Sequence, residues 1–144
     1  MLKDDINILI LKPEDETLLE KTIPEVFDHA LSQRWSAEFL ADDRHHLAVA
    51  LVGEALVGMA SALHYVHPDK APQMWINEVG VAPDYRRRGI AKKLLQCLLA
   101  HAKDLGCTEA WLLTEEENGA ARALYHSLKG QELEKPIYIN FDLT

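Results

Sequence analysis

Two cysteines, three phenylalanines and three tryptophans are all that the 144 residues hold of those types. Cys97 and Cys107 stand in no metal-ligand spacing. His64 and His67 lie three apart, His45 and His46 are adjacent, and neither pair has a third ligand in sequence, so no metal site is expected. Thiols this sparse read as reduced, the state of a cytoplasmic protein rather than a disulfide scaffold. No apolar run approaches the roughly 20 residues of a membrane-spanning helix. The start, Met1-Leu2-Lys3-Asp4-Asp5, also lacks the charged-then-apolar layout of a signal peptide. Positive charge is short: 15 Lys and Arg against 23 Asp and Glu give a net charge of −8, which disfavours a nucleic-acid partner. Neither GxGxxG nor a Gly-Lys-Ser/Thr phosphate loop occurs, which excludes the common dinucleotide and triphosphate signatures.

With 48% hydrophobic and 26% charged residues, the chain has the composition of a folded domain. No repeat, low-complexity tract or linker divides it, so residues 1–144 are expected to form a single domain. Asn7–Lys12 reads as a first strand ended by Pro13, and Glu14–Ala30 as helical with a break at Pro24. Ser36–Asp42 reads as a short helix capped by Ser36. His46–Val52 and Ala55–Val66 flank Gly53-Glu54, the pattern of an antiparallel hairpin. A loop, His67–Gln73, leads into a strand over Met74–Val81. Ile90, Leu94, Leu95, Leu98, Leu99, Ala102 and Leu105 fall on one helical face, with Gly106 placed to end the helix. Glu109–Thr114 is a further strand and Gly119–Leu128 a second helix with Asn118 as cap. Ile137, Ile139, Phe141 and Leu143 alternate with Tyr138, Asn140 and Asp142, the period of a half-buried strand. The order predicts an α/β fold, a mixed sheet of about six strands with about four helices on its faces.

The charge is unevenly placed. Residues 84–93 carry Arg86, Arg87, Arg88, Lys92 and Lys93 against Asp84, a local +4 that leaves −12 for the rest. This basic spot joins a strand to the start of the amphipathic helix. Amides in a helix's first turn have no partners and carry partial positive charge. Gly89 and Ala91 have almost no side chain, so an anion can approach those amides, and the arginines add bidentate donors. A run of three arginines alone is commonly a solvated patch. Its position here, with small residues beside it, points to an anion site of diphosphate extent.

Arg86-x-x-Gly89-x-Ala91 resembles the Arg/Gln-x-x-Gly-x-Gly/Ala signature of the GNAT acyltransferase superfamily. Asn118-Gly-Ala-Ala121-Arg-Ala-Leu124-Tyr125 resembles that family's second motif, and residues 76–130 match it in detail. Glu115–Tyr125 and the ending on Phe141-Asp142 look most like the aminoglycoside 3-N-acetyltransferase type I branch. The resemblance implies the GNAT fold and direct transfer of acetyl from acetyl-CoA to an amine. It places the pantetheine arm in a gap between splayed parallel strands, on the backbone around Val79 and Val81, where an amide can also hold an oxyanion. It implies cofactor contacts at Arg86, Arg87, Arg88, Gly89, Ile90, Ala91, Asn118 and Ala121. Tyr125 would protonate the departing thiolate.

An ammonium must lose a proton before it attacks, so a base is needed. Glu78 near the end of its strand is the candidate. Regular pairing would set it on one face with Met74 and Ile76, whose apolar surroundings would raise its pKa. Glu115, Glu116 and Asp142 are candidates for holding a cationic small-molecule amine, and Trp35 can line the same cleft. Three functions fit these residues: acetylation of an aminoglycoside 3-amino group or a related polyamine, acetylation of a protein N-terminus or lysine, and acyl-CoA binding without catalysis. The short tail leaves a sheet edge whose covering favours a homodimer.

Overall fold

The computed structural model describes residues 5–133 and 135–144. The chain forms two compact units, Met1–Leu113 and Thr114–Thr144. The first holds one sheet with strands β1 (Ile6–Ile10), β2 (His45–Val52), β3 (Ala55–His67), β4 (Lys70–Val81) and β5 (Glu109–Trp111) in spatial order β1-β2-β3-β4-β5. The β1–β4 pairs are antiparallel and β4–β5 is parallel, as the mixed-sheet reading required. Helix α1 (Gln33–Ala41) and helix α2 (Ile90–Asp104) belong to this unit, as does a 3-10 segment, Pro13–Lys21. The second unit holds helix α3 (Gly119–Ser127).

The two faces of the sheet are covered by different elements. Helix α2 lies on one, burying Ile90, Leu94, Leu95, Leu98 and Ala102. It comes so close that a Cβ on Gly58 would meet Ile90 Cγ2 at 3.2 Å. Each fully buried aliphatic side chain here contributes about 1.5–3 kcal/mol relative to exposure. The opposite face carries Leu47, Val49 and Met59, packed with Leu19, Val26 and Leu40 from the segments preceding β2.

Strand β4 changes character midway. Ile76 pairs with Ala62, but Glu78 pairs with Ser61, so Asn77 is an extra residue opposite no partner. One extra residue exchanges the faces of everything after it. Met74 and Ile76 are 0% and 5% exposed on the α2 face, whereas Glu78 and Gly80 turn to the other face. Regular pairing over this strand, the basis for placing Glu78 among Met74 and Ile76, is therefore corrected. Strand β5 pairs only with Gln73–Trp75, so β4 runs on from Ile76 to Val81 with no ladder on that side among the described residues.

Other expectations shift as well. The first helical stretch is a 3-10 segment followed by an irregular run through Leu31, because Pro24 cannot continue a helix. Helix α1 is capped by Ser32, whose Oγ accepts from the Trp35 amide, and not by Ser36. The supposed loop His67–Gln73 is mostly strand, with a tight turn at Pro68-Asp69. The last strand is absent: residues 137–143 form no regular element, and Ile137, Ile139, Phe141 and Leu143 are 70–93% exposed. Five strands are seen among the described residues where about six were expected. An alternating pattern states which face a strand would bury, but a strand also needs a neighbour to pair with.

Candidate active site

The site is built where β4 ends and α2 begins. β4 ends at Val81, Ala82 is 1% exposed, and Pro83–Tyr85 form a single 3-10 turn. Arg86 folds back so that its Nε donates to the Val81 carbonyl at 3.0 Å, tying the turn to the strand end. Arg88 lies over the Tyr85 ring at 5.0 Å, a cation–π contact that holds its guanidinium beside the turn. Arg87 has φ 62° and Gly89 φ 75°, both left-handed. Gly89 is the N-cap of α2, and a Cβ there would meet nothing within 4 Å. The first amides of α2, Ile90 and Ala91 among them, lack helical partners and carry partial positive charge, and they follow the cations Arg87 and Arg88 and a cap with open space at its Cβ position. A diphosphate such as that of coenzyme A fits this cradle by charge, by donor type and by room.

Along β4, Val79 and Val81 follow the bulge on the stretch without a β5 partner. Backbone groups on that edge, apart from the Val81 carbonyl that Arg86 holds, can bond an extended polar chain as a strand would. Glu78 is exposed. It shares its face with Gly80, where a Cβ would lie 2.1 Å from the Val26 carbonyl oxygen. The structure thus groups Glu78, Val79, Val81 and Arg86–Ala91 at one end of the first unit.

In the second unit, Asn118 caps α3 by accepting from the Ala121 amide at 3.1 Å. Asn118, Ala121 and Tyr125 recur at helical spacing and share one face. Tyr125 is half-buried, and burial pushes its hydroxyl pKa up, which keeps the proton on a group suited to donating it. Glu115 and Glu116 are exposed in the turn before α3, where the Glu116 carbonyl accepts from Arg122 at 2.9 Å. Asp142 is exposed and spends its carboxylate on Thr144, accepting from its amide at 2.9 Å and its hydroxyl at 2.6 Å, which lowers the Asp142 pKa. Trp35 is 71% exposed on α1.

Two features escaped the sequence. The bulge at Asn77 has no signature in a single chain, since only pairing reveals it. The second is a chain of three imidazoles. His46 Nε2 lies 2.7 Å from His64 Nδ1, and His101 Nε2 lies 2.9 Å from His46 Nδ1. Residues 46 and 64 were visible as neighbours of strand ends, but His101 joins them only through the packing of α2. Among the described residues no group of three or more His, Cys, Asp or Glu is arranged to hold a metal ion.

Comparison with known proteins agrees with this geometry. The model of the Acetyltransferase (GNAT) family matches residues 13–130. The chain belongs to that family, and it is an acyltransferase of the GNAT fold. An aminoglycoside N(6')-acetyltransferase type 1 of Acinetobacter genomosp. 13 is 30% identical over 109 residues, 75% of this chain and 71% of that protein. The [ribosomal protein bS18]-alanine N-acetyltransferase of Escherichia coli K12 is 40% identical over 50 residues, covering 35% of this chain and 34% of that enzyme. Among solved structures, AAC(6')-Iy in complex with a bisubstrate analogue, CoA-S-monomethyl-acetylneamine, superposes with TM-score 0.79. It is 21% identical, with 96% of this chain and 99% of that chain covered. The 3-N type I branch suggested by residues 115–142 is corrected here, because the aminoglycoside relatives are N(6')-acetyltransferases. The tail pattern used for that assignment is too short and too common in kind to separate branches.

Proposed function

We propose that this acyltransferase carries the acetyl group of acetyl-CoA directly to a primary amine of an aminoglycoside, at the 6′ position. The observation that carries the reading is the basic first turn of α2 just after the end of β4, whose outer edge has no β5 partner there and which carries Glu78. Acetyl-CoA supplies the activated thioester. Ile90 and Ala91 amides with Arg87, Arg88 and the Gly89 turn hold its diphosphate, while Arg86 fixes the turn. Backbone groups of Val79 and Val81 bind its pantetheine arm and orient the carbonyl, and the family resemblance implies further coenzyme contacts at Asn118 and Ala121. Glu78 takes the ammonium proton, and Tyr125 supplies a proton to the leaving thiolate. Glu115, Glu116 and Asp142 attract the remaining ammonium groups. The N(6')-acetyltransferase relative and the acetylneamine-bound structure support this acceptor class.

A peptide N-terminus is the second reading, favoured by the local match to the bS18-alanine enzyme. The −8 net charge favours the polycationic acceptor instead. We take residues 1–144 as one cytoplasmic domain that works without a metal and as a homodimer. In support of the dimer, the apolar alternation of residues 137–143 is exposed and β5 leaves its outer edge open among the described residues. Sedimentation velocity of the full chain and of a chain ending at Lys135 tests it: a dimer that becomes monomeric is expected, and a monomeric full chain refutes it. For the reaction, a panel of aminoglycosides, polyamines and peptides is read by free-thiol release. Turnover confined to aminoglycosides carrying a 6′-amine is expected, and turnover of peptides alone would replace this reading with the second.

A further inference from the structure

The three consecutive arginines stand in three different situations. Arg86 gives its Nε to the Val81 carbonyl at 3.0 Å, which turns it back toward β4. Arg87 is exposed and holds a left-handed φ of 62°. Arg88 is exposed too, yet its guanidinium carbon lies 5.0 Å from the centroid of the Tyr85 ring, inside the reach of a cation–π contact. None of the three forms an ion pair among the described residues, although Asp84 is close in sequence.

Tyr85 is the anchored member of the pair. It ends the Pro83–Tyr85 turn, and its amide donates to the Ala82 carbonyl at 2.9 Å. Its half-buried ring packs against the core cluster that includes Met59 and Ala82. An exposed arginine gives up rotamer freedom when it closes on a phosphate. One held over a fixed ring has given up part of that freedom before the ligand arrives. Arg88 also directly precedes Gly89, the N-cap of α2. In the pattern Arg-x-x-Gly-x-Ala, Arg88 fills an unspecified place and Tyr85 lies outside it. The pair is therefore a property of this chain and not of the signature.

Resting on the proposed binding of acetyl-CoA at the start of α2, we propose that Tyr85 is a positioning residue for the donor, its ring holding the Arg88 guanidinium in place for the coenzyme's diphosphate. Tyr85 touches no reacting atom and acts only through Arg88. Its effect on binding therefore vanishes when Arg88 is absent.

Calorimetric titration of CoA into the full chain tests this with a double-mutant cycle, and thermal melts without ligand report any folding cost separately. Tyr85→Phe keeps the ring, whereas Tyr85→Leu keeps an apolar side chain without a ring face. Tyr85→Phe should bind CoA within about twofold of wild type, and Tyr85→Leu should raise the Kd about three- to tenfold. Arg88→Ala should raise it at least as much, and adding Tyr85→Leu to Arg88→Ala should change it no further than about twofold. Tyr85→Met replaces the leucine variant in the same comparison if that variant is unfolded at the assay temperature. A Tyr85→Leu loss that persists in full beside Arg88→Ala overturns the inference, since the ring then serves only the packing of the turn. Wild-type affinity in Tyr85→Leu overturns it as well, as does Tyr85→Phe binding as weakly as Tyr85→Leu; each leaves the donor site standing. A wild type that shows the coupling but acetylates no amine would refute the reaction and keep the positioning role. No CoA binding to the wild type would refute both.

Discussion

The two halves of β4 are one strand with two physical regimes. The half from Lys70 to Ile76 is flanked on both edges over Gln73–Trp75, buries Met74 and Ile76 under α2, and stacks Trp75 on Trp111 with ring centroids 5.9 Å apart. Trp111 in turn donates to the Tyr65 hydroxyl at 2.7 Å, so the aromatic pair is fixed by a satisfied polar end. From Glu78 to Val81 the faces are exchanged, the β5 edge is bare, and one residue is a glycine pressed under a carbonyl. The first half maximises packing. The second exposes backbone groups and an acid, arrangements that contribute little to stability and are useful only toward a ligand.

Asn77 is the hinge of that contrast, so its deletion is expected to have the largest effect. With regular pairing restored, Glu78 turns toward α2 and the backbone groups of residues 79–81 shift by one position. Acetyl transfer should fall below detection and acetyl-CoA should no longer raise the Tm, while circular dichroism reports a folded sheet. Retained turnover would show that the bulge is incidental. Next, Glu78→Gln should lower kcat/KM by about 10²–10⁴ through loss of the base. Its unfolding free energy should stay within about 0.5 kcal/mol of wild type, as for an exposed position. A non-catalytic acyl-CoA-binding protein would have no turnover for Glu78→Gln to lower.

The first half should answer oppositely. Met74→Ala should cost about 2–5 kcal/mol in denaturant unfolding, because the residue is 0% exposed, with kcat/KM at 25 °C little changed. An equal loss of activity would mean that the halves are not separable.

A smaller effect comes from the imidazole chain on the same face. His46 is 6% exposed and its pKa is lowered to about 4, chiefly by burial and then by His101, His64 and His45, with Asp42 opposing. Burial also lowers the His101 pKa. The unfolded chain then binds more protons than the folded one between about pH 6.5 and 4. Stability should be complete above pH 6.5 and decline by up to about 2–3 kcal/mol as pH falls through that window. His46→Leu should flatten the decline, and an unchanged slope would place the acid sensitivity elsewhere.

The same contrast explains what the sequence could reveal. Periodicity located α2, because its five buried side chains come from one helix and need no knowledge of the sheet. Asn118 was legible as a cap because capping is local, and the Arg86–Ala91 turn was legible because helix-start chemistry is local too. The bulge, the Val26–Gly80 approach and the His46–His64–His101 chain each join residues 14–55 positions apart, and no short pattern encodes them. Residues 137–143 show the converse. Their alternation is regular, but pairing is a property of two strands, and no strand pairs with them among the described residues.

The central claim is that the start of α2 is an acyl-CoA cradle, and ligand-induced thermal stabilisation tests it most directly. Acetyl-CoA at 100 times its Kd should stabilise the wild type by about 2.7 kcal/mol, a rise of several degrees in Tm. Gly89→Glu places a carboxylate at the αL cap, where the diphosphate would lie. It should lower the unliganded Tm slightly and abolish the shift. A variant that keeps the full wild-type shift would contradict the cradle, and with it the reading of β4's open end as a donor site.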